Sequence, residues 1–249
     1  MPIGIMSAMH EEINLLHEQM EVESEVELGM RTYFIGNLWG NDVVVVFSRW
    51  GKVAASSTAT ALIVEFGVDE IIFSGVAGGL DERMNIGDIV IGKRLIQHDM
   101  DASPIFAQFE IPLIDKTYFD ADHKISQQLT KAAESFLSEN KLEEKLIEEF
   151  GLHSPNIYHG DIASGDRFIS DSTEIERIRT KLPSIQCVEM EGAAVAQICY
   201  EYGIPFGIVR TISDSADDDA HINFTRFVNE VASHYTLGIL NNYFNSKSG

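Results

Sequence analysis

Hydrophobic residues recur along the chain in two periods, one typical of strands and the other typical of helices. Short, nearly continuous apolar runs predict buried strands. These runs are Ile3–Met6, Glu70–Ser74, Asp88–Gln97, Tyr158–Ile169 with a glycine interruption, Ile185–Val188 and Phe206–Ile212. Two further runs, Arg31–Leu38 and Asp42–Phe47, flank Gly40-Asn41 and predict a hairpin.

Apolar residues at helical spacing predict a helix after most of these strands. The predicted helices cover Met9–Met20, Val53–Phe66, His123–Asn140, Asp171–Leu182, a stretch that starts at Gly192, and Phe224–Phe244. Lys141–Phe150 either extends the third helix or forms a short one of its own. Ala102–Asp122 is irregular and contains several aromatic residues, as expected of a pocket lid or a subunit contact.

The alternation of strands and helices predicts an α/β fold. We expect a single domain over residues 1–249, built as a three-layer α/β/α sandwich with a central, mixed, twisted sheet. The hairpin argues against a purely parallel sheet. With 249 residues, 45% of them hydrophobic, the chain can bury one sizeable core.

Charge excludes several classes of partner. Lysine and arginine number 18 against 39 aspartates and glutamates, a formal net charge of -21. Such a surface repels phosphate backbones and anionic membranes, so we expect neither a nucleic-acid nor a membrane partner. The first residues, Met1–Met6, read as a strand and not as a signal peptide, and we expect a cytoplasmic protein. Cys187 and Cys199 show no metal-ligand spacing and are expected to be reduced core residues.

The stretch from Gln186 to Asp219 concentrates unusual features. Glu189-Met190-Glu191 follows an apolar strand and precedes a helix that begins with small residues. Arg210 lies on the next apolar strand, and Ser213-Asp214 stands at its carboxyl end. Because ligands bind at the carboxyl ends of strands in open α/β sheets, we expect Glu191 and Asp214 to face one crevice.

A third carboxylate, Glu12, lies at the start of the helix after the first strand, on the flank of its apolar face. Carboxylates in different environments can divide acid and base roles, because burial raises one pKa while a charged neighbour lowers another. Cleavage of a glycosidic bond uses this division and needs no cofactor. The alternative is that these acids are solvent-exposed surface residues without a catalytic role. Against it, Glu191 and Asp214 follow strands that are predicted to be buried.

Other signals are weaker. The glycine run Gly75–Gly79 at a strand end permits close approach to a ligand but equally suits a turn, and it lacks the lysine of a phosphate loop. In His98–Asp101, strand alternation places His98 opposite the two aspartates, which disfavours a metal site. Asp217–Asp219 is expected to be exposed, with a magnesium site as the rival interpretation. Trp50 is either a core aromatic or the wall of a pocket.

Taken together, several motifs resemble the bacterial 5′-methylthioadenosine/S-adenosylhomocysteine nucleosidases, of the purine nucleoside phosphorylase-like superfamily. The resemblance covers nearly the whole chain. It rests on Ile3–Glu12, Gly51-Lys52-Val53, Ser74–Gly79, His98–Asp101, Ser164–Ile169, Val188–Gly192 and Arg210–Asp214.

The resemblance implies hydrolysis of the bond between adenine and ribose, without a metal or other cofactor. It implies that Glu12 activates the attacking water and that Asp214 protonates N7 of the departing adenine. Glu191 would hold the ribose hydroxyls, and Arg210 would help to orient the water. The further residues implied to bind substrate are Met9, Trp50 and Phe224 at the apolar wall, Phe168 and Ile169 at adenine, Met190 at the sugar, and Val76, Gly78 and Ser213.

The resemblance also implies a homodimer in which Ile105 or Phe106 of the partner subunit completes the pocket. The chain departs from the family pattern at two positions. Val76 stands where many members have a serine that can touch the water, and Trp50 replaces a smaller apolar residue. Lys141–Pro155 resembles an insertion.

Three rival functions remain open at this point. A nucleoside phosphorylase would need cations for phosphate, whereas the first strand-end loop offers Glu12 and no arginine. A second enzyme would use 6-amino-6-deoxyfutalosine as its substrate. A non-catalytic nucleoside-binding module would be expected to lose Glu12 or Asp214, and both are present. For the nucleosidase, we expect the rate to fall at acid pH, when the base is protonated, and at alkaline pH, when the acid is lost.

Overall fold

The structure is a computed structural model that describes residues 1–139, 142–214 and 220–247. The magnesium interpretation of Asp217–Asp219 falls outside the described residues. The strands are β1 (Ile3–Ser7), β2 (Glu21–Leu28), β3 (Arg31–Leu38), β4 (Asn41–Phe47), β5 (Glu70–Gly79), β6 (Ile89–Gln97), β7 (Phe119–Asp120), β8 (Ile157–Ser164), β9 (Ile185–Glu189) and β10 (Phe206–Asp214).

Helices connect and flank these strands. They are α1 (His10–Gln19), α2 (Lys52–Val64), α3 (His123–Glu139), α4 (Glu144–Phe150), α5 (Ser172–Lys181), α6 (Gly192–Tyr202), α7 (Ala220–Phe227) and α8 (Ser233–Lys247). A π-helical turn, Val228–Ala232, joins α7 to α8, so the single long helix expected at this end has a wider turn inside it.

All ten strands belong to one mixed sheet with the main order β10-β6-β8-β9-β5-β1-β4-β3-β2. β1 is parallel to both β4 and β5, whereas β3 is antiparallel to β2 and β4, which confirms the predicted hairpin. β10 pairs with β5 in parallel and with β6 in antiparallel fashion. The mixed α/β fold expected from the alternation of elements is therefore confirmed.

Part of the sheet closes on itself, which the sequence did not indicate. β10 pairs with both β5 and β6, and β9 meets β5 only where Gly78 and Gly79 lie opposite Val188 and Cys187. β8 and β9 are antiparallel to β5 and β10. The carboxyl end of β9 nevertheless meets the carboxyl end of β5, and β10 ends beside them. The crevice is thus formed by a closed part of the sheet, and not by an open parallel one.

Helices cover both faces of the sheet because its strand side chains alternate. Val43 and Val45 of β4 pack in a cluster with α1, α3 and α8, while Val44 and Val46 pack in a second cluster with α2 and α6. A third cluster involves Ile175 of α5. The two cysteines are free and buried.

Three local expectations need correction. The glycine run Gly75–Gly79 continues β5 as strand and is not a turn. β2, whose eight residues are all exposed, was missed because its alternating glutamates look like a solvated loop. β8 ends at Ser164, so Phe168 and Ile169 lie in the loop that follows it. Within the described part of the chain, no helix has the length and apolar character needed to cross a membrane.

Candidate active site

An open cleft, of about 640 Å³ when the solvent space at its mouth is included, lies where the strand ends meet. Its walls come from the β1–α1 junction, the loop after β4, the end of β5, the loop after β8, the β9–α6 junction, β10 and α7. The lining residues are Ala8, Met9, Trp50, Gly75, Val76, Ala77, Gly78, Arg167, Phe168, Ile169, Val188, Glu189, Met190, Glu191, Arg210, Ser213, Asp214 and Phe224. The lining combines apolar and aromatic side chains with a few convergent charged groups, as is typical of a small-molecule site.

The cleft brings together the substrate-binding residues that the resemblance implied. Met9, Trp50, Val76, Gly78, Phe168, Ile169, Met190, Glu191, Arg210, Ser213 and Phe224 all line it, and so does Asp214. Glu12 lies beside the cleft, in the first turn of α1, with only 1% of its surface exposed.

Glu191 is buried at the start of α6 and points toward the loop after β4. Its Oε1 accepts a 2.7 Å hydrogen bond from the backbone N–H of Gly51. Gly51 has a φ of 91°, a conformation that favours glycine, and its amide can therefore face the carboxylate. Burial raises the pKa of Glu191, as does the neighbouring Glu189, so an uncharged state is unusually accessible to this side chain.

Sequence reasoning gave Glu189 no role, yet it organises the floor of the cleft. Its carboxylate accepts hydrogen bonds from Arg210 Nη2 at 2.7 Å and Gly192 N at 2.8 Å, and also from the Ser164 hydroxyl. Gly192 packs so closely on the sheet that an added Cβ would lie 2.6 Å from Ile208. Small residues at the start of α6 therefore allow this helix to pack closely on the sheet.

Arg210 is fully buried in β10, with its guanidinium 4.1 Å from the centre of the Phe73 ring. It forms an ion pair with Glu189, whose side chain is 3% exposed. Among the described residues its Nε has no hydrogen-bond partner. Arg210 thus supplies positive charge at the cleft, most of it balanced by one carboxylate.

Glu12 is enclosed by hydroxyl groups. Thr236 Oγ1 donates to its Oε1 at 2.6 Å, and the Ser7 hydroxyl donates to its Oε2. Burial raises the pKa of Glu12, while these two hydrogen bonds and the positive charge of Arg210 lower it. The net direction is upward, which suits a group that must take up a proton near neutral pH.

Asp214 ends β10 beside a local irregularity in its pairing with β5, between Ile212 and Asp214. Irregular pairing of this kind re-aims side chains, and here it accompanies the turn of Asp214 into the cleft. Asp214 is 2% exposed, and Ser213 Oγ donates to its Oδ2 at 2.8 Å. The sequence pattern did not predict this irregular pairing.

Three aromatic side chains stand at the mouth. The Trp50 and Phe224 rings lie 6.2 Å apart at 83°, and the Phe168 and Phe224 rings lie 5.5 Å apart at 74°. Trp50 Nε1 donates to the Ala8 carbonyl at 2.8 Å, although the residue is 58% exposed. The structure thus places Trp50 as a pocket wall, one of the two alternatives left open above.

His98 is buried, whereas Asp99 is exposed. Asp99 accepts from Lys52 Nζ at 2.5 Å and from Asp166 N at 2.9 Å. Desolvation lowers the pKa of His98. Within the described ranges, no three histidine, cysteine or acidic side chains are grouped as a metal would require.

Comparison with known proteins identifies the family of the chain. A family model described as "Phosphorylase superfamily" matches residues 2–242. The 5′-methylthioadenosine/S-adenosylhomocysteine nucleosidase of Anoxybacillus flavithermus is 32% identical over 235 residues, 94% of each chain. The chain therefore belongs to the phosphorylase superfamily and, within it, to the family of 5′-methylthioadenosine/S-adenosylhomocysteine nucleosidases.

Solved structures agree with this assignment. The Neisseria meningitidis nucleosidase of that name, in complex with methylthio-immucillin-A, superposes with a TM-score of 0.87 at 32% identity, over 98% of this chain and 99% of that one. The futalosine hydrolase of Helicobacter pylori superposes with a TM-score of 0.82 at 29% identity, over 98% and 97% of the two chains. The fold is thus shared by enzymes with different nucleoside substrates.

Proposed function

We propose that this protein hydrolyses the N-glycosidic bond of 5′-methylthioadenosine and S-adenosylhomocysteine, releasing adenine and the corresponding 5-thioribose. The observation that carries the proposal is a set of three buried carboxylates: Glu191 and Asp214 line one cleft, and Glu12 lies beside it, in the first turn of α1. The names of its relatives supply the substrate class.

Glu12 acts as the general base in this proposal. Its carboxylate is buried and held by two hydroxyls, so its orientation is defined before substrate arrives. Its raised pKa strengthens it as a proton acceptor for water. Arg210 lines the cleft, and its positive charge lowers the pKa of Glu12. It assists in orienting that water.

Asp214 acts as the general acid that protonates N7 of adenine. Protonation converts the base into a neutral leaving group and lowers the barrier to bond cleavage. Phe168 and Ile169 line the same cleft and supply an aromatic face and main-chain groups for the base. Ser213, hydrogen-bonded to Asp214, holds the acid in place.

Glu191 binds the ribose hydroxyls, with Met190 against the sugar. Its anchor on the Gly51 amide leaves carboxylate lone pairs for the two hydroxyls. As the sugar becomes cationic in the transition state, hydrogen-bonded carboxylates around it stabilise the developing charge.

Water, and not phosphate, is the proposed nucleophile. Two arginines line the cleft, but Arg210 is paired with Glu189, and Arg167 is exposed and lies 4.0 Å from Glu174. A phosphate dianion needs cations or helix N-terminal amides beside the ribose. An anionic Glu12 in that position repels it.

We further propose that the protein works as a homodimer whose pocket is completed by the partner. Ile105 is 82% exposed and Leu113 is 89% exposed, both in the irregular segment between β6 and β7. Such apolar side chains suit burial against a second copy. Replacing Ile105 with aspartate should shift the sedimentation profile toward the monomer and lower the rate; an unchanged profile would remove this segment from the interface.

A futalosine-type substrate is the second candidate, favoured by the similarity to the Helicobacter pylori futalosine hydrolase. Both functions use the same bond cleavage at the same three carboxylates. Comparison of kcat/KM for 5′-methylthioadenosine, S-adenosylhomocysteine and 6-amino-6-deoxyfutalosine separates them. A preference for the futalosine compound by about tenfold or more would replace the proposed substrate.

A further inference from the structure

Thr236 connects the general base to a part of the chain that carries no recognisable motif. It lies on α8, 224 positions from Glu12 along the chain, and its hydroxyl donates to Glu12 Oε1 at 2.6 Å. Thr236 is 2% exposed, and Glu12 is 1% exposed. The contact is therefore buried. A hydrogen bond to a charged group has a larger effect in the protein interior than in water.

A second hydroxyl lies behind the first. Ser74 Oγ, at 2% exposure on β5, lies 2.7 Å from Thr236 Oγ1. A threonine hydroxyl has one proton, and the carboxylate uses it whenever Glu12 is ionised. The contact between Ser74 and Thr236 must then be donated by Ser74. Proton counting thus gives a directed row, from Ser74 to Thr236 to Glu12.

Charged groups around Glu12 do not by themselves favour its ionised form. Burial raises its pKa most, and Glu11 on the same helix raises it further. Arg210, from β10, lowers it, but that guanidinium is paired with Glu189. The remaining compensation comes from two hydroxyls, Ser7 on β1 and Thr236 on α8, so the carboxylate depends on them to stay charged.

We propose that Thr236, with Ser74 behind it, is a positioning residue for the reaction: it orients the Glu12 carboxylate and stabilises the ionised form that accepts a proton from water. This inference rests on the proposed function of Glu12. Val76, which lines the cleft, offers no hydroxyl to Glu12. The row from Ser74 therefore supplies hydroxyl contacts from behind the carboxylate instead of from the cleft.

The test uses Thr236→Val, which keeps the side-chain shape and removes the hydroxyl, beside Thr236→Ser, which restores it. Ser74→Ala removes only the second member of the row. Thr58→Val is the matched control, because Thr58 is a fully buried threonine whose hydroxyl donates to backbone carbonyls away from Glu12. Each protein is assayed for adenine release from 5′-methylthioadenosine across pH 4 to 9.

For Thr236→Val we expect kcat to fall about tenfold. The apparent pKa on the acid side of the kcat/KM profile should rise by about one pH unit, since a hydrogen bond to the ionised carboxylate is lost. Ser74→Ala should shift this apparent pKa in the same direction by less. Thr236→Ser and Thr58→Val should keep the wild-type apparent pKa. A wild-type apparent pKa in Thr236→Val would overturn the inference.

Titration of the Glu12 carboxyl by carbon-13 NMR, assigned with Glu12→Gln, gives the same answer without turnover. An upward shift of the Glu12 pKa in Thr236→Val supports the stabilisation of the ionised carboxylate by Thr236, independently of turnover. Absence of adenine release from the wild-type enzyme would refute the proposed function, and with it the reaction that this contact serves. An unshifted titration overturns the inference even in an active enzyme. If Thr236→Val does not fold, the Ser74→Ala titration decides in the same way.

Discussion

Glu12 is a carboxylate that the fold keeps from solvent while two hydroxyls hold it in place. A glutamine there preserves shape but cannot accept the proton of water. We expect Glu12→Gln to lower kcat by about 10²–10⁴-fold, measured as adenine release. Binding of adenine, measured by calorimetry, should stay close to wild type. A variant with full turnover would refute the role of Glu12 and leave the fold untouched.

Trp50 is fixed at the mouth of the cleft by its hydrogen bond to Ala8 and its contact with Phe224. A smaller side chain there should widen the mouth of the cleft and leave more room for the larger homocysteinyl group. We expect Trp50→Leu to raise kcat/KM for S-adenosylhomocysteine relative to 5′-methylthioadenosine by about three- to tenfold. Met30→Leu, at an exposed position in the β2–β3 turn, serves as the control. Equal ratios in both variants would show that Trp50 does not select the substrate.

At this scale the sequence indicated the residues that stand beside recognisable motifs, but it could not indicate their partners. Glu191 and Asp214 follow apolar strands, and both line the cleft. Glu189 was recognised only as a neighbouring acid, because its donors come from Ser164 and Arg210, far apart in the chain. Thr236 carried no signal, since a threonine in an amphipathic helix is ordinary.

At the scale of elements, one lysine joins three loops. Lys52 Nζ contacts Asp99 at 2.5 Å after β6, and Lys52 N donates to Asp166 at 2.8 Å after β8. Its neighbour Gly51 holds Glu191. The loop that carries Phe168 is thus tied to the segment whose Gly51 N–H donates to Glu191.

We expect Lys52→Met to lower the free energy of unfolding by about 1–3 kcal/mol, measured by urea denaturation. It should also raise KM several-fold with a smaller effect on kcat, because Asp99, which accepts from Asp166 N in the loop that carries Phe168, loses its cationic partner. Lys247→Met is the matched control: Lys247 pairs with Glu70 at comparable burial, at the far end of β5. A similar rise of KM in both variants would show a general loss of stability instead of a local one.

Most elements could be predicted because their periods are clear, whereas two features depended on distant contacts. β2 alternates valine and glutamate over an exposed edge, so no burial pattern distinguishes it from a loop. The closure of the sheet depends on the ends of β5 and β9 meeting at Gly78 and Gly79. Periodicity reports what each segment buries and not which strand it will meet.

At the scale of the whole molecule, buried acids make stability depend on pH. Burial raises the folded-state pKa values of Glu12 and Glu191, so the folded protein binds these protons more tightly than the unfolded chain does. Their contribution to stability is complete below the ordinary glutamate pKa of about 4.3 and is lost as pH rises through the higher folded values. The net charge of -21 acts in the same direction.

We therefore expect the free energy of unfolding, measured without ligand, to fall between about pH 5 and pH 8. In Glu191→Gln, the fall in the free energy of unfolding over this pH range should be smaller by about 1–3 kcal/mol. Glu25→Gln, on exposed β2, removes one charge without a buried group and serves as the control. Equal slopes in the two variants would assign the effect to total charge alone.

The central claim is that water, and not phosphate, attacks the sugar. The most direct measurement is adenine release from 5′-methylthioadenosine in phosphate-free buffer and in added phosphate, with identification of the sugar product. We predict equal rates in both buffers and free 5-methylthioribose as the product. A rate that requires phosphate, together with a ribose 1-phosphate product, would contradict the account and make the protein a phosphorylase.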